Sequence, residues 1–254
     1  FLFSNPVTRA IAYQMVCNFA KLELYGGVTT IRTVGGLKDL DTRLRNEIKA
    51  GKKTGPLILA ANEGITVEGG HMAGSVARVA RNNEEAKRFV EVSYAQGVDL
   101  VKLMITGGVL DAKEKGVPGE MKMPEDMIQT ICKKAHQLGL LTSAHVESTE
   151  GVKAALRNGV DSIEHGAKPD QEMMELFKEK KAFLITTLSP ALPFALFDPS
   201  VSKVDDTQLF NGKMVFDGII ECSKAALENH IPVGLGNDVG CPWITQYDFY
   251  RELV

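Results

Sequence analysis

The chain has 254 residues, 44% of them hydrophobic and 24% charged, and its formal net charge at pH 7 is −3. This length suits one large domain, and the weak acidity without a basic run argues against nucleic acid or a membrane surface as a partner. No apolar run approaches the roughly 18 residues of a membrane span. The four cysteines lie far apart without a CxxC pair, which favours reduced thiols and a cytoplasmic location, although a mature exported protein would have the same features.

Helices and strands are predicted to alternate from the first residues onward. Asn5-Pro6 is a typical helix start, and the helix that follows is expected to turn Ile11, Met15 and Phe19 towards the core. A glycine-rich loop is expected directly after the second strand. Short apolar runs predict strands at 28–34, 56–62, 98–108, 182–189 and 231–240, with two more inside 140–166.

The predicted strands are continuous apolar runs, which is the pattern of a parallel sheet covered by helices. Seven strands after an opening helix fit an α/β fold, a TIM-like (β/α)8 barrel without its first strand. A doubly wound open sheet is the competing fold, but no GxGxxG motif follows an early strand here. We therefore expect a barrel.

Two predicted strands each end in a histidine. The stretch 140–166 has the pattern strand, helix, strand, with His145 closing the first strand and His165 the second. A βαβ unit places the carboxyl ends of both strands on one side, so the two imidazoles can converge above the sheet. This is how a catalytic metal site is built on an α/β barrel.

Two further strand ends offer groups of the same kind. Lys102 lies among Val101, Leu103 and Met104, and a buried amine in a parallel strand needs a partner or a role. Asp238 lies near the carboxyl end of the last predicted strand, 231–240. Taken alone, each of these residues has an ordinary structural explanation, but all of them lie where barrel active sites form.

At this point the sequence resembles a known family. The motifs GVTTIRTVGG, VKLMITGGV, SAHVES, SIEHG and GNDVG, in this order, are similar to those of the metal-dependent amidohydrolase superfamily, in its imidazolonepropionase-like and Xaa-Pro dipeptidase-like branch. The resemblance implies a zinc-dependent hydrolase of amide or peptide bonds in small molecules such as dipeptides or N-acyl amino acids. Water activated by metal would attack the carbonyl.

The resemblance also assigns roles to residues. It implies that Lys102 is carboxylated and bridges the metals, within a site for one or two zinc ions. His145 and His165 match the ligands of the second metal. Asp238 matches the residue that binds the first metal and, as the catalytic base, accepts the proton of the attacking water.

Departures from the family pattern leave alternatives open. The family draws two more ligands from an HxH motif on the first strand, and this chain has none; it also lacks the terminal β-sandwich. We therefore expect residues 1–254 to be an amidohydrolase barrel domain, as a fragment with strands 2–8. The alternatives are a catalytically defective barrel that acts as a binding module, or a single-metal hydrolase of cyclic amidines or imidazolones, against which Lys102 counts.

Two residues are candidates for substrate binding. His71 follows Gly69-Gly70 in a loop on the active-site side, and Arg32 closes the first predicted strand. Arg32 can bind a substrate carboxylate, with a structural ion pair as the alternative. Besides a small-molecule substrate, a homo-oligomeric partner stays open.

Overall fold

A computed structural model describes residues 5–241, 243–247 and 249–253. The helices are α1 (Pro6–Tyr25), α2 (Leu40–Lys49), α3 (Asn83–Ala95), α4 (Glu125–Gln137), α5 (Thr149–Arg157), α6 (Gln171–Lys180), α7 (Leu192–Ala195), α8 (Pro199–Ser202) and α9 (Asp206–Glu228). The strands are β1 (Thr30–Thr33), β2 (Leu57–Ala60), β3 (Gly64–Thr66), β4 (Ala77–Val79), β5 (Leu100–Met104), β6 (Leu141–Val146), β7 (Ser162–His165), β8 (Phe183–Thr186) and β9 (Val233–Leu235). Two 3-10 turns cover Ser189–Ala191 and Phe249–Glu252.

All strand pairings within the two sheets are parallel. Strands β1 and β2 form one sheet, and the other has the order β4-β3-β5-β6-β7-β8-β9. Asp99 joins the two sheets, because its backbone N–H donates to the Ala60 carbonyl at 2.8 Å and its Oδ2 accepts from the Ala60 N–H at 2.8 Å. The main strands therefore follow chain order from β1 and β2 through β5 to β9. This confirms the predicted α/β barrel.

The seven predicted strands correspond to β1, β2 and β5–β9, each shorter than expected. The glycine-rich segment after β2 is not wholly a loop, since it contains β3 and β4. Their register pairs Ile65 with both Arg78 and Leu103, so the segment is attached to the edge of β5. The loop between β3 and β4 carries His71, which contacts His145 at the carboxyl end of β6.

The core lies between the sheet and the helices that cover it. Its main cluster joins Ile128 and Ile131 of α4, Leu156 of α5 and Phe177 of α6 to strand residues such as Ile163. Burial of these large apolar side chains is the dominant stabilising contribution. None of the helices among the described residues is long and apolar enough to cross a membrane.

The face that α1 buries differs from the predicted one. Ile11, Met15 and Phe19 are 54%, 50% and 43% exposed, so the prediction that they point inward is wrong. The helix instead packs Cys17, Ala20 and their buried neighbours against α2 and β2. Tyr13 belongs to the same buried face, whereas Ile11, Met15 and Phe19 lie on the exposed side of the helix.

Candidate active site

Lys102 lies in the middle of β5, only 2% exposed, and is paired in register with Ser143 of β6. Burial lowers the pKa of its ammonium group to about 8, although the negative charges of Glu164 and Asp238 oppose this change. The amine is therefore much closer to neutrality at physiological pH than an exposed lysine. The predicted site residue is in the barrel interior.

His145 and His165 meet at the carboxyl ends of β6 and β7, with ring centroids 4.7 Å apart and the rings at 71°. Nε2 of His145 donates to the Gly107 carbonyl at 3.2 Å, and Nδ1 of His165 lies 2.6 Å from Thr187 Oγ1. Burial lowers the pKa of both imidazoles well below the usual value, so both are neutral at pH 7. Among the residues that the structure describes, the second nitrogen of each ring makes no hydrogen bond.

The backbone of His165 explains how both histidines face the interior. Glu164 is paired with His145 and accepts from Ser143 Oγ at 2.7 Å, so its side chain is inward. Alternation along a strand would then turn His165 outward. Its φ of +70° instead lies in the left-handed region, which redirects the imidazole towards His145.

His71 lies against the histidine pair. Its ring stacks on His145 with centroids 4.0 Å apart and an interplanar angle of 7°. Nδ1 of His71 makes a short contact with the carboxylate of Asp111, and Gly108 N–H donates to the same carboxylate at 3.0 Å. Hydrogen bonding to His71 is the main cause that lowers the pKa of Asp111. The structure thus brings His71 to the site.

Asp238 follows β9 and also has a left-handed backbone, with φ of +47°. Enclosure by protein atoms raises the pKa of its carboxyl group, while the charge of Lys102 lowers it. Asp238 is exposed to solvent, so we expect the net rise in its pKa to be smaller than full burial would cause. Cys241 Sγ donates to Asp238 Oδ2 at 3.5 Å.

Arg32 makes an ion pair across the barrel interior. Its Nη2 donates to Glu164 Oε1 at 2.6 Å and its Nη1 to Ser162 Oγ at 2.9 Å. The Arg32 side chain is 19% exposed and that of Glu164 is 4% exposed. This is the structural alternative that the sequence left open, and the substrate-binding role of Arg32 stays a prediction.

Glu147 is a functional candidate that the sequence reasoning missed. One ligand atom each from His145, Glu147 and His165 lies within 4.8 Å of the others, while Asp238 is outside this group. The only signal in the sequence is its place two residues after His145, where β6 has just ended. Asp111 and Thr187, which contact His71 and His165, had no local signal at all.

Comparisons with known proteins agree with the resemblance found in the sequence. A curated ochratoxinase from Aspergillus niger is 29% identical over 177 residues, which cover 68% of this chain and 36% of that protein. A crystal structure assigned as a prolidase from Bifidobacterium longum is 36% identical, with a TM-score of 0.87, over 95% of this chain and 59% of that one. The resemblance to the amidohydrolase superfamily is confirmed.

Other comparisons agree with this amidohydrolase resemblance. The structure of a Xaa-Pro dipeptidase with bound methionine in its active site is 27% identical, with a TM-score of 0.82, over 96% of this chain and 62% of that one. No family model matches the chain. The chain spans less than two thirds of the length of these relatives.

The amidohydrolase-like site has the donor set that a divalent metal ion needs. Neutral imidazoles and carboxylates are the usual ligands of zinc, and both types meet at the barrel mouth. One ring nitrogen of each imidazole contacts a protein group, the Gly107 carbonyl or the Thr187 hydroxyl. Metal-binding histidines almost always have such a contact on the nitrogen that does not bind the metal. The residues present therefore fit a metal ion.

Proposed function

We propose that this chain carries the active site of a metal-dependent hydrolase of amide or peptide bonds in small molecules. The observation that carries the proposal is the convergence of His145 and His165, each neutral and each with one nitrogen free, at the carboxyl end of a parallel barrel. Zinc, as one or two ions, is the metal that this donor chemistry favours. Such an ion supplies Lewis-acid chemistry, since it lowers the pKa of water and polarises a carbonyl group.

Lys102 is proposed to act as a carboxylated, bridging ligand. Carbon dioxide adds to the neutral amine, which loses a proton and becomes an anionic carbamate with oxygen donors. The lowered pKa of about 8 supports this reaction, because more of the amine is neutral at physiological pH. Burial of Lys102 would also protect the carbamate from exchange with solvent.

Asp238 is proposed as a metal ligand and as the general base. Its carboxylate interacts electrostatically with Lys102 and His71, which supports a role in which it accepts a proton from the attacking water and returns it to the leaving amine. His71, stacked over His145, is positioned to contact the substrate. Arg32 is proposed to bind a substrate carboxylate, which requires the substrate to compete with Glu164 for the guanidinium group.

The relatives suggest the substrate class. Names such as prolidase, Xaa-Pro dipeptidase and ochratoxinase describe proteins that differ in substrate, and this chain is similar to all of them. We propose a dipeptide or an N-acyl amino acid as the substrate.

The test is a library of dipeptides and N-acyl amino acids, scored for release of free amino acid with and without a chelator. We expect zinc-dependent release by the wild type and its loss in Asp238→Asn. Asp206→Asn is the matched control, since that side chain is 94% exposed on the start of α9. Equal release by wild type and Asp238→Asn would contradict the proposal.

A further inference from the structure

Glu147 is held in place at the barrel mouth by contacts that leave one carboxylate oxygen unused. Its backbone N–H donates to Thr106 Oγ1 at 3.0 Å, and its Oε2 accepts from the Val109 N–H at 3.1 Å. Among the residues that the structure describes, Oε1 receives no hydrogen bond. The half-buried carboxylate is therefore oriented but only partly satisfied.

The carboxylate of Glu147 belongs to a convergent set of three side chains. One ligand atom each from His145, Glu147 and His165 lies within 4.8 Å of the other two. Each side chain also makes a further polar contact, the histidines with the Gly107 carbonyl and the Thr187 hydroxyl. Converging side chains that are each oriented by a further contact are typical of the ligands of a metal ion.

The charges around Glu147 also favour a cation. The negative charges of Asp238 and Asp111 act on the Glu147 carboxylate, so three carboxylates lie close enough to interact at this end of the barrel. A divalent ion at the centre of the three side chains would offset this clustering of carboxylates.

We propose that Glu147 is itself a metal ligand, so that His145, Glu147 and His165 together hold one divalent cation. The inference rests on the metal-dependent function proposed above and adds a ligand to it. Two histidines and a glutamate are a known ligand set of hydrolytic zinc sites, and they leave a fourth position open for water or substrate. These ligands come from β6, β7 and the residue after β6, so we expect them to hold this ion even before Lys102 is carboxylated. The carbamate of Lys102 is then an additional ligand of the complete site.

A competing explanation is that Glu147 only supports the site from outside the coordination sphere. Loss of such an outer contact typically weakens metal affinity about 10–100-fold. Thr187→Val is the matched example, because it removes the contact to His165 Nδ1 while preserving the shape of the side chain. Loss of a direct ligand must weaken metal affinity more than Thr187→Val does.

The experiment uses the whole chain, stripped with a chelator and kept in buffer depleted of carbon dioxide. Zn²⁺ is titrated by calorimetry, and Co²⁺ by its visible absorption, which reports the ligands directly. We expect one ion per wild-type chain, a loss of affinity of more than about 100-fold in Glu147→Gln, and a changed Co²⁺ spectrum. Glu150→Gln, which removes a 73% exposed carboxylate three residues further along the chain, should retain wild-type affinity and spectrum.

The outcomes separate this inference from the proposed function. Glu147→Gln with affinity within the range of Thr187→Val and an unchanged Co²⁺ spectrum would overturn the inference, while zinc-dependent amide hydrolysis by the wild type would stand. Binding by the wild type only after bicarbonate is added would also overturn it and would favour Lys102 as the essential ligand. If the stripped Glu147→Gln variant has lost its wild-type circular dichroism, Glu147→Asp replaces it, with weakened affinity expected because its oxygen is withdrawn.

Discussion

The imidazole of His71 stacks face to face on that of His145, with ring centroids 4.0 Å apart. Two residues 74 positions apart in the sequence thus share one surface, and one of them belongs to the proposed metal centre. Asp111 fixes the orientation of the ring from its edge.

The His71→Ala variant tests whether this ring contacts the substrate. We expect kcat/KM for the best substrate to fall about 100-fold, while zinc content remains that of the wild type. Steady-state kinetics and metal analysis on the same preparation check both points. A parallel loss of zinc would instead indicate that His71 supports His145 and has no direct role with the substrate.

The pKa of Lys102 predicts a pH dependence of stability. The folded-state value of about 8 is below the usual 10.5, so between these values the unfolded chain binds more protons than the folded one. Stability contributed by this site must therefore rise with pH across that window, by about 3 kcal/mol at most. The measurement is urea unfolding of the metal-free chain between pH 7.5 and about 10.5, in buffer free of carbon dioxide.

Lys102→Met is the reference for that measurement, since it keeps the length of the side chain without the charge. We expect the difference in unfolding free energy between Lys102→Met and the wild type to be largest at the lower end of the window and to shrink as pH rises. A difference that stays constant with pH would show that the folded chain does not depress the pKa of Lys102.

The strand pattern allowed the barrel to be predicted, and it singled out four candidate residues on the strands. Continuous apolar runs require burial on both faces, so polar residues such as Lys102 and His145 stand out within them. Alternation alone would turn His165 outward, and it reaches the interior through a left-handed backbone. Its position at the end of a predicted strand made it a candidate, but the backbone conformation could not be predicted from the sequence.

Other parts of the site depend on contacts that no local pattern shows. Glu147 is oriented by the backbone of Val109, and His71 by the carboxylate of Asp111, both nearly 40 residues away. The prediction for α1 failed for a related reason: hydrophobicity marks Ile11 as buried, although the helix packs through the face of Tyr13 and Cys17. Sequence periodicity identifies an apolar face but not the neighbour that covers it.

The Arg32–Glu164 pair predicts a large stability cost when it is broken. Arg32→Met leaves a carboxylate that is only 4% exposed without its cation, so we expect the free energy of unfolding to fall by about 3 kcal/mol. Arg9→Met is the matched control, since its ion pair with Asp39 is exposed and should contribute less than about 1 kcal/mol. Thermal and urea unfolding measure both variants.

A double variant distinguishes the contribution of the Arg32–Glu164 ion pair to stability from that of Arg32 itself. Adding Glu164→Gln to Arg32→Met removes the unpaired charge, and we expect part of the lost stability to return. If Arg32→Met were as stable as the wild type but raised KM for substrates with a free carboxylate, Arg32 would be a substrate-binding residue and the ion pair would be incidental.

A substitution at Gly166 tests whether the backbone after β7 positions His165. Its φ of +87° disfavours any side chain, and a Cβ there would lie 3.0 Å from both Cys222 Sγ and Leu184 Cδ1. We expect Gly166→Ala to lower stability by about 1–3 kcal/mol and to weaken zinc binding, because relief of the clash moves His165. Gly139→Ala is the matched control: its φ is +75° but nothing lies within 4 Å of its Cβ position, so it should cost only about 1 kcal/mol and leave zinc binding intact. Equal effects of the two variants on zinc affinity would show that the backbone after β7 does not position His165.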